Sequence, residues 1–225
     1  MEKVIIIDFD NTIGYFTQVV YIFNIIEKIY DRKINDNDVR VIFELYPYSF
    51  RPKIFEILKF VQKQKQGKII SNFILYTKNK NENFVHMVIS YIESYIGCSQ
   101  NELFDDILFS KTKKKNFETL VTHKTYKTNT YFCFIDDKKY NYAKNNTLNV
   151  KIYYINFDAY KYNYSIERII KIMNYETYEK INKKTLGKYL KNIYKVAQMT
   201  ENVPRKIFEL DSIYIFNLLN KFCVL

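Results

Sequence analysis

Apolar runs along this chain stop abruptly at charged or polar groups, and their spacing separates strands from helices. Val4, Ile5, Ile6 and Ile7 form an unbroken β-branched run that ends in Asp8, Phe9, Asp10, Asn11 and Thr12. Such a run reads as a strand buried on both faces, as in a parallel sheet. Residues 69 to 76 predict a second strand that ends in Thr77, Lys78 and Asn79, and residues 103 to 109 a third. Tyr131 to Ile135 run into Asp136 and Asp137, and residues 150 to 155 close the series. Between these runs the spacing is helical. Phe16, Val19, Val20, Phe23 and Ile26 form one stripe, and residues 39 to 45 form a second short element. Ile54, Phe55, Leu58 and Val61 predict a helix headed by Arg51 and Pro52 and closed by Gly67. Residues 82 to 96 and 116 to 123 predict two more. Alternating strands and helices of this kind predict an α/β protein with a parallel sheet.

The chemistry gathers at the carboxyl ends of the predicted strands, where helix N-termini and loops converge on ligands in open α/β sheets. Asp8 and Asp10, two apart, reach one site if the chain turns just after the strand. A second acidic pair, Asp136 and Asp137, follows five strand residues, an unusual context for exposed-turn acids. Hard carboxylate oxygens from two strands suit Mg²⁺, which takes a few carboxylates, waters and a substrate phosphate. The Thr77 hydroxyl can donate to a phosphate oxygen, although a helix cap or turn is the commoner use of such a residue. The run Lys111, Thr112, Lys113, Lys114, Lys115 is mostly a solvated loop, but one of its ammonium groups supplies the cation that a phosphoryl group among carboxylates requires. Asn141 could orient a carboxylate or that lysine. His86 and His123, isolated from ligand partners, read as structural.

Composition changes this picture little. At 225 residues and 48% hydrophobic, the chain can bury one sizeable core with an appendage. Cys98, Cys133 and Cys223 lack metal-ligand spacing, and no charged-then-apolar leader precedes the first strand, so an intracellular protein, cytoplasmic or nuclear, is expected. No apolar run approaches a membrane span, and no membrane partner is expected. The net charge of +11 is compatible with a nucleic-acid surface, but lysine greatly outnumbers arginine, and biased composition with solvated lysines is the preferred account.

The order and spacing of Asp8-x-Asp10-x-Thr12, strand-terminal Thr77, a lysine ahead of a helix, and Phe134-Ile135-Asp136-Asp137 resemble the four motifs of the haloacid dehalogenase (HAD) superfamily. Arg51-Pro52, heading a helix that leads to Ile74-Leu75-Tyr76-Thr77, is similar to the FCP-type branch, also called NLI-interacting-factor-like. That branch includes phosphatases of the RNA polymerase II C-terminal domain. Lys115-Asn116-Phe117 through Cys133-Phe134-Ile135-Asp136-Asp137 resembles uncharacterised members from large DNA viruses and favours Lys115 as the third-motif lysine. The resemblance implies a HAD-like Rossmannoid fold, three layers around a central parallel sheet, over roughly residues 1 to 158. A small cap insertion at about 14 to 50 would leave the cleft open.

It also implies roles. Asp8 would be the nucleophile of an aspartyl-phosphate mechanism, and Asp10 the general acid and base, with its carbonyl on the metal. Asp137 would ligate Mg²⁺, with Asp136 beside it or bonded to Lys115. Thr77 and Lys115 would hold the phosphate, Thr12 would brace the first turn, and Asn141 would stand behind. The expected activity is Mg²⁺-dependent hydrolysis of a phosphomonoester on a macromolecule, a phosphoprotein ahead of a nucleic acid. The alternatives are a nucleic-acid or nucleotide phosphatase, or a catalytically idle basic binding protein on the same scaffold. Residues 159 to 225 predict a basic helical extension with stripes at Ile166, Ile169, Ile170 and Met173, at Tyr178, Ile181, Leu186, Leu190, Ile193 and Ala197, and at Ile207, Phe208, Leu210, Ile213, Phe216, Leu219 and Phe222. These stripes either pack on the rest of the chain or dock a partner.

Overall fold

The five apolar runs form five strands: β1 (Lys3–Ile7), β2 (Asn72–Thr77), β3 (Asp106–Phe109), β4 (Tyr131–Asp136) and β5 (Lys151–Asn156). The structure is a computed structural model that describes residues 2–110, 115, 120, 126, 129–138, 151–194 and 204–225, of which 192–194 in backbone only. All four strand pairings are parallel, in the order β3-β2-β1-β4-β5, so β1 is central. Every residue of β1 is buried, which explains its unbroken apolar run. Seven α-helices lie among the described residues: α1 (Thr17–Tyr30), α2 (Asp36–Leu45), α3 (Ile54–Gln66), α4 (Glu82–Ile96), α5 (Ile166–Ile172), α6 (Lys183–Tyr194) and α7 (Arg205–Val224). The architecture is α/β and Rossmann-like. No helix among the described residues is long and apolar enough to cross a membrane.

Some boundaries differ from those the pattern predicts. β2 begins at Asn72, three residues late, because Lys68 takes a left-handed φ of 58° and leaves Ile69 exposed. β3 begins at Asp106. Leu103 and Phe104 are buried, but the Asp105 carboxylate accepts the Phe73 N–H at 2.7 Å, which ends the ladder there. The buried face of α3 is Ile54, Ile57, Leu58 and Val61, so Ile57 takes the place expected for Phe55, whose ring lies against Tyr95 of α4.

The chain divides into two compact units that alternate along the sequence. Residues 1–14, 51–160 and 205–225 form the first, and residues 15–50 and 161–204 the second. The first contains the sheet. One sheet face carries Val4, Ile6, Ile74, Tyr76, Phe132 and Phe134, packed with Leu108, Leu120 and the half-buried Tyr126. On the opposite face Ile5, Phe73 and Cys133 are fully buried. α7 packs against β4, and its Phe222 meets Tyr153 of β5 edge-on. α3 packs between β2, α4 and α7, with Phe60 against Phe216. The last predicted stripe is thus shared out: Phe208, Leu219 and Phe222 are buried and Phe216 half-buried, whereas Ile207, Leu210 and Ile213 are exposed and Ile215, outside the predicted stripe, is buried instead. Each fully buried aliphatic or aromatic side chain contributes about 1.5–3 kcal/mol.

In the second unit the insertion and part of the C-terminal region make one helical body. Phe16, Phe23, Phe43 and Phe50 form an aromatic cluster with edge-on contacts. The Gln18 amide donates to the Tyr164 carbonyl at 2.9 Å and accepts from its N–H at 2.7 Å, and Tyr46 donates its hydroxyl to the Ile169 carbonyl at 3.0 Å. Asn35 and Asp38 form a reciprocal cap on α2, and Asp38 also receives the Tyr178 hydroxyl at 3.1 Å and the Arg32 guanidinium at 2.9 Å. Burial works against the Asp38 charge, but these donors outweigh it and hold its carboxyl below the usual carboxylate range. Gly187 of α6 faces Ile170 of α5 so closely that a Cβ there would meet its Cδ1 at 3.3 Å. A mid-helix glycine is otherwise unfavourable, and the close approach of the two helices accounts for this one.

Candidate active site

Parallel register brings the two acidic pairs together. Ile7 pairs with Ile135, so Asp8 and Asp136 stand level on adjacent strands, and the Asp8 N–H still donates to the Ile135 carbonyl at 2.9 Å. Alternation puts both side chains on the face of Ile6 and Phe134, at its carboxyl end. That apolar face therefore ends in charge. Lys115, from the connection between β3 and β4, is 5% exposed, and its ammonium donates to both Asp8 and Asp136, to the latter at 2.7 Å. It also lies 5.6 Å over the ring of Tyr76. Ligand oxygens of Asp8, Asp136 and Asp137 all fall within 4.8 Å of one another, a cluster that could hold a metal ion.

The turn that leaves β1 is built to aim its side chains. Asn11 adopts φ 64°, a conformation that asparagine tolerates better than most residues, and its N–H donates to the Gly14 carbonyl at 2.8 Å. The Thr12 hydroxyl donates to Asp8 Oδ2 at 3.1 Å, and this holds the carboxylate from the side opposite Lys115. Asp136 is fixed as firmly: its Oδ1 accepts the Lys138 N–H at 2.8 Å, and its carbonyl accepts from Asn156 of β5 at 3.0 Å. Asp10 is half-buried and accepts from Asn79 through both oxygens, at 3.1 and 3.2 Å. Thr77 is fully buried, and its Oγ1 accepts the Asn79 N–H at 3.0 Å, the turn contact common for such a residue. Asn141 lies outside the described residues, as do Lys111, Lys113 and His123. His86 is exposed, with its ring beside Phe109.

Proton equilibria show a site short of positive charge. Burial, then the neighbouring Asp8, pushes the Asp10 carboxyl up to about 6 against the pull of Asn79 and Lys115. Asp136 and Asp137 are raised for the same two reasons. Burial disfavours the Lys115 ammonium, but Asp8 and Asp136 outweigh it, and its pKa stands above that of an ordinary lysine. Crowded carboxylates with raised pKa values suit a metal cation, which would relieve their repulsion.

Two residues of this site were not assigned to it by sequence. Asn79 contacts Asp10 directly. Arg51, 1% exposed, lies behind the first turn, where its guanidinium donates to the carbonyls of Thr12 at 2.9 Å, Asn11 at 3.0 Å and Asp158 at 2.7 Å. Phe157, Tyr160 and Phe208 surround it, and Asp211 of α7 stands 3.6 Å from Nη1, an ion pair too long for a hydrogen bond. Burial lowers the Arg51 pKa to about 10, with Asp211 opposing, so it stays charged at neutral pH. Arg51→Met is expected to destabilise the protein by about 3–5 kcal/mol, since it strands the buried Thr12 carbonyl, removes a donor from the Asn11 and Asp158 carbonyls and leaves Asp211 without its cation. Arg51→Lys should recover little, because an ammonium lacks the planar fork. Chemical denaturation of both variants checks this, and a near-wild-type midpoint for Arg51→Met would refute it.

No protein-family model, no curated protein and no solved structure matches this chain.

Proposed function

We propose that the chain is a phosphomonoester hydrolase of the HAD type, akin to the FCP-like branch, that works through an aspartyl-phosphate on Asp8. The observation that carries this reading is the pairing of Asp8 and Asp136, at the ends of adjacent strands, through one buried lysine. A nucleophilic carboxylate must approach a phosphoryl group that is itself negative, and a fixed cation beside it lowers that barrier.

In the first half-reaction an Asp8 oxygen attacks phosphorus in line as the bond to the leaving oxygen breaks, and Asp10 gives that oxygen its proton. In the second, Asp10 takes a proton from water, which attacks phosphorus, frees phosphate and restores Asp8. A pKa of about 6 keeps both states of Asp10 accessible near neutrality, as a group that gives and then takes a proton requires. Lys115 stays charged and pairs with the phosphoryl oxygens, and Thr77 supplies a hydroxyl at the same strand ends. Asp8, Asp136 and Asp137 would hold Mg²⁺, which supplies charge neutralisation at the phosphoryl oxygens when bound.

The proposed substrate is a phosphorylated protein. A screen of the full chain with and without Mg²⁺ tests both levels of the reading, across 4-nitrophenyl phosphate, phosphopeptides, nucleotides and 5′- or 3′-phosphorylated oligonucleotides. Turnover of phosphopeptides, dependent on Mg²⁺ and only weakly on salt, is the expected result. A preference for oligonucleotides that falls steeply with log salt would move the substrate to nucleic acid. Metal binding without turnover of any substrate would leave a binding protein on this scaffold. Asp137→Ala should raise the Mg²⁺ concentration for half-activation at least about tenfold while leaving turnover at saturating metal less affected. An unchanged metal requirement would remove Asp137 from the ligand set.

A further inference from the structure

We infer that Asn79 is a positioning residue for Asp10: it fixes the direction in which the Asp10 carboxyl meets the leaving oxygen, and the enzyme needs it most on alkyl phosphate esters. This rests on the reading of Asp10 as the general acid. Three hydrogen bonds in sequence leave the Asn79 amide one orientation. Its own N–H donates to Thr77 Oγ1 at 3.0 Å, which places the residue just beyond the end of β2. Its Oδ1 accepts the Asn81 N–H at 2.9 Å, and Asn81 in turn caps α4 by accepting the Phe84 N–H at 3.1 Å. Because a backbone donor faces the amide oxygen, the amide nitrogen must be the atom turned to Asp10, and it reaches both carboxylate oxygens at 3.1 and 3.2 Å. A strand end, a helix cap and a side-chain amide thus lock one carboxylate, without adding a charge to a site where charge is already crowded.

The consequence depends on the ester. An alkoxide leaving group, as from phosphoserine, is strongly basic and must gain a proton as its bond to phosphorus breaks, so a misdirected acid slows it severely. A nitrophenolate leaves without help. Losing the positioning contact should therefore divide the two substrates in the first half-reaction, the one in which they differ, whereas general damage to the fold would slow that step for both alike.

The test measures kcat/KM of the full-length protein with Mg²⁺ on a phosphoserine peptide and on 4-nitrophenyl phosphate, because this constant ends at departure of the leaving group and excludes the hydrolysis of the aspartyl-phosphate that both substrates share. Asn79→Ala is expected to lower kcat/KM on the peptide at least about tenfold and on the aryl ester less than about threefold. Asn79→Ser guards against a folding defect. Its hydroxyl can still accept the Asn81 N–H in a local turn but is too short to reach Asp10, so it should show the same division. In an Asp10→Asn background neither change should lower peptide turnover further, since both act through Asp10. Equal losses on the two substrates, or full peptide turnover by Asn79→Ser, would overturn the inference and leave Asn79 a turn residue. A wild-type protein inactive on both esters would instead overturn the hydrolase reading itself.

Discussion

Asp8→Asn is expected to remove turnover of an aryl phosphate, by at least about 10³-fold, while the protein keeps a cooperative melt near that of the wild type. The loss follows from chemistry. An amide oxygen at this position is a poor nucleophile, and the intermediate it would form has no favourable route. The retained fold follows from electrostatics. The substitution removes the Asp8 partner of Lys115, but Asp136 remains on the same ammonium at 2.7 Å, and Asp10, Asp136 and Asp137 are each relieved of a neighbour that raises their pKa. The gain and the loss therefore offset one another, and the thermal midpoint should move by only a few degrees. Steady-state kinetics with a thermal melt on the same preparation checks both halves, and undiminished turnover would end the assignment of Asp8 as nucleophile.

Lys115→Met should be costly twice. Without the ammonium, Asp8 and Asp136 are left as buried carboxylates facing one another, and such an uncompensated loss is worth about 3–5 kcal/mol. Because the Lys115 pKa is raised in the folded protein, its contribution is fully present below the ordinary lysine value of 10.5 and fades only as pH rises through the folded value. At neutral pH the whole deficit is therefore visible, and the gap between wild type and variant should narrow only under strongly alkaline conditions. Saturating Mg²⁺ should recover part of the stability, since a ligand that binds the native carboxylates favours that state by mass action. It should not recover turnover, which is expected to fall about 10²–10³-fold for want of a fixed cation at the phosphoryl group. Denaturant titrations with and without Mg²⁺, together with kcat, separate the two effects. Full activity in this variant alongside its loss in Lys111→Met or Lys113→Met would move the lysine role within the run.

What the sequence makes legible here is what local pattern can encode. β1 and β4 stand out because both strands are buried and end in acids, and their shared level follows from parallel pairing alone. The start of β2 is misjudged because apolar Ile69 looks like strand, yet Lys68 turns the chain and the ladder begins only at Asn72. Asn79 and Arg51 were missed as site residues for a different reason. Nothing within a few residues of Asn79 reveals Asp10, and Arg51 finds its acceptors 39, 40 and 107 residues away. The division into units is hidden in the same way. A two-helix insertion and a helical tail each show an apolar stripe, but no stripe names its partner, and the structure gives residues 161–204 to one unit and 205–225 to the other.

That alternation bears on how the chain is made. Lys3 donates its ammonium to the carbonyl of Cys223 at 2.7 Å, a bond across 220 residues that closes the sheet-bearing unit over its first strand. A polypeptide emerging amino end first makes the apolar β1 well before β4 and α7, which shelter that strand and its neighbours. The helical unit is no better placed, since residues 15–50 must wait for 161–204. Neither body can finish before the other has begun, so vectorial synthesis offers this protein little protection. Non-local pairing of this kind slows folding and prolongs the exposure of apolar segments.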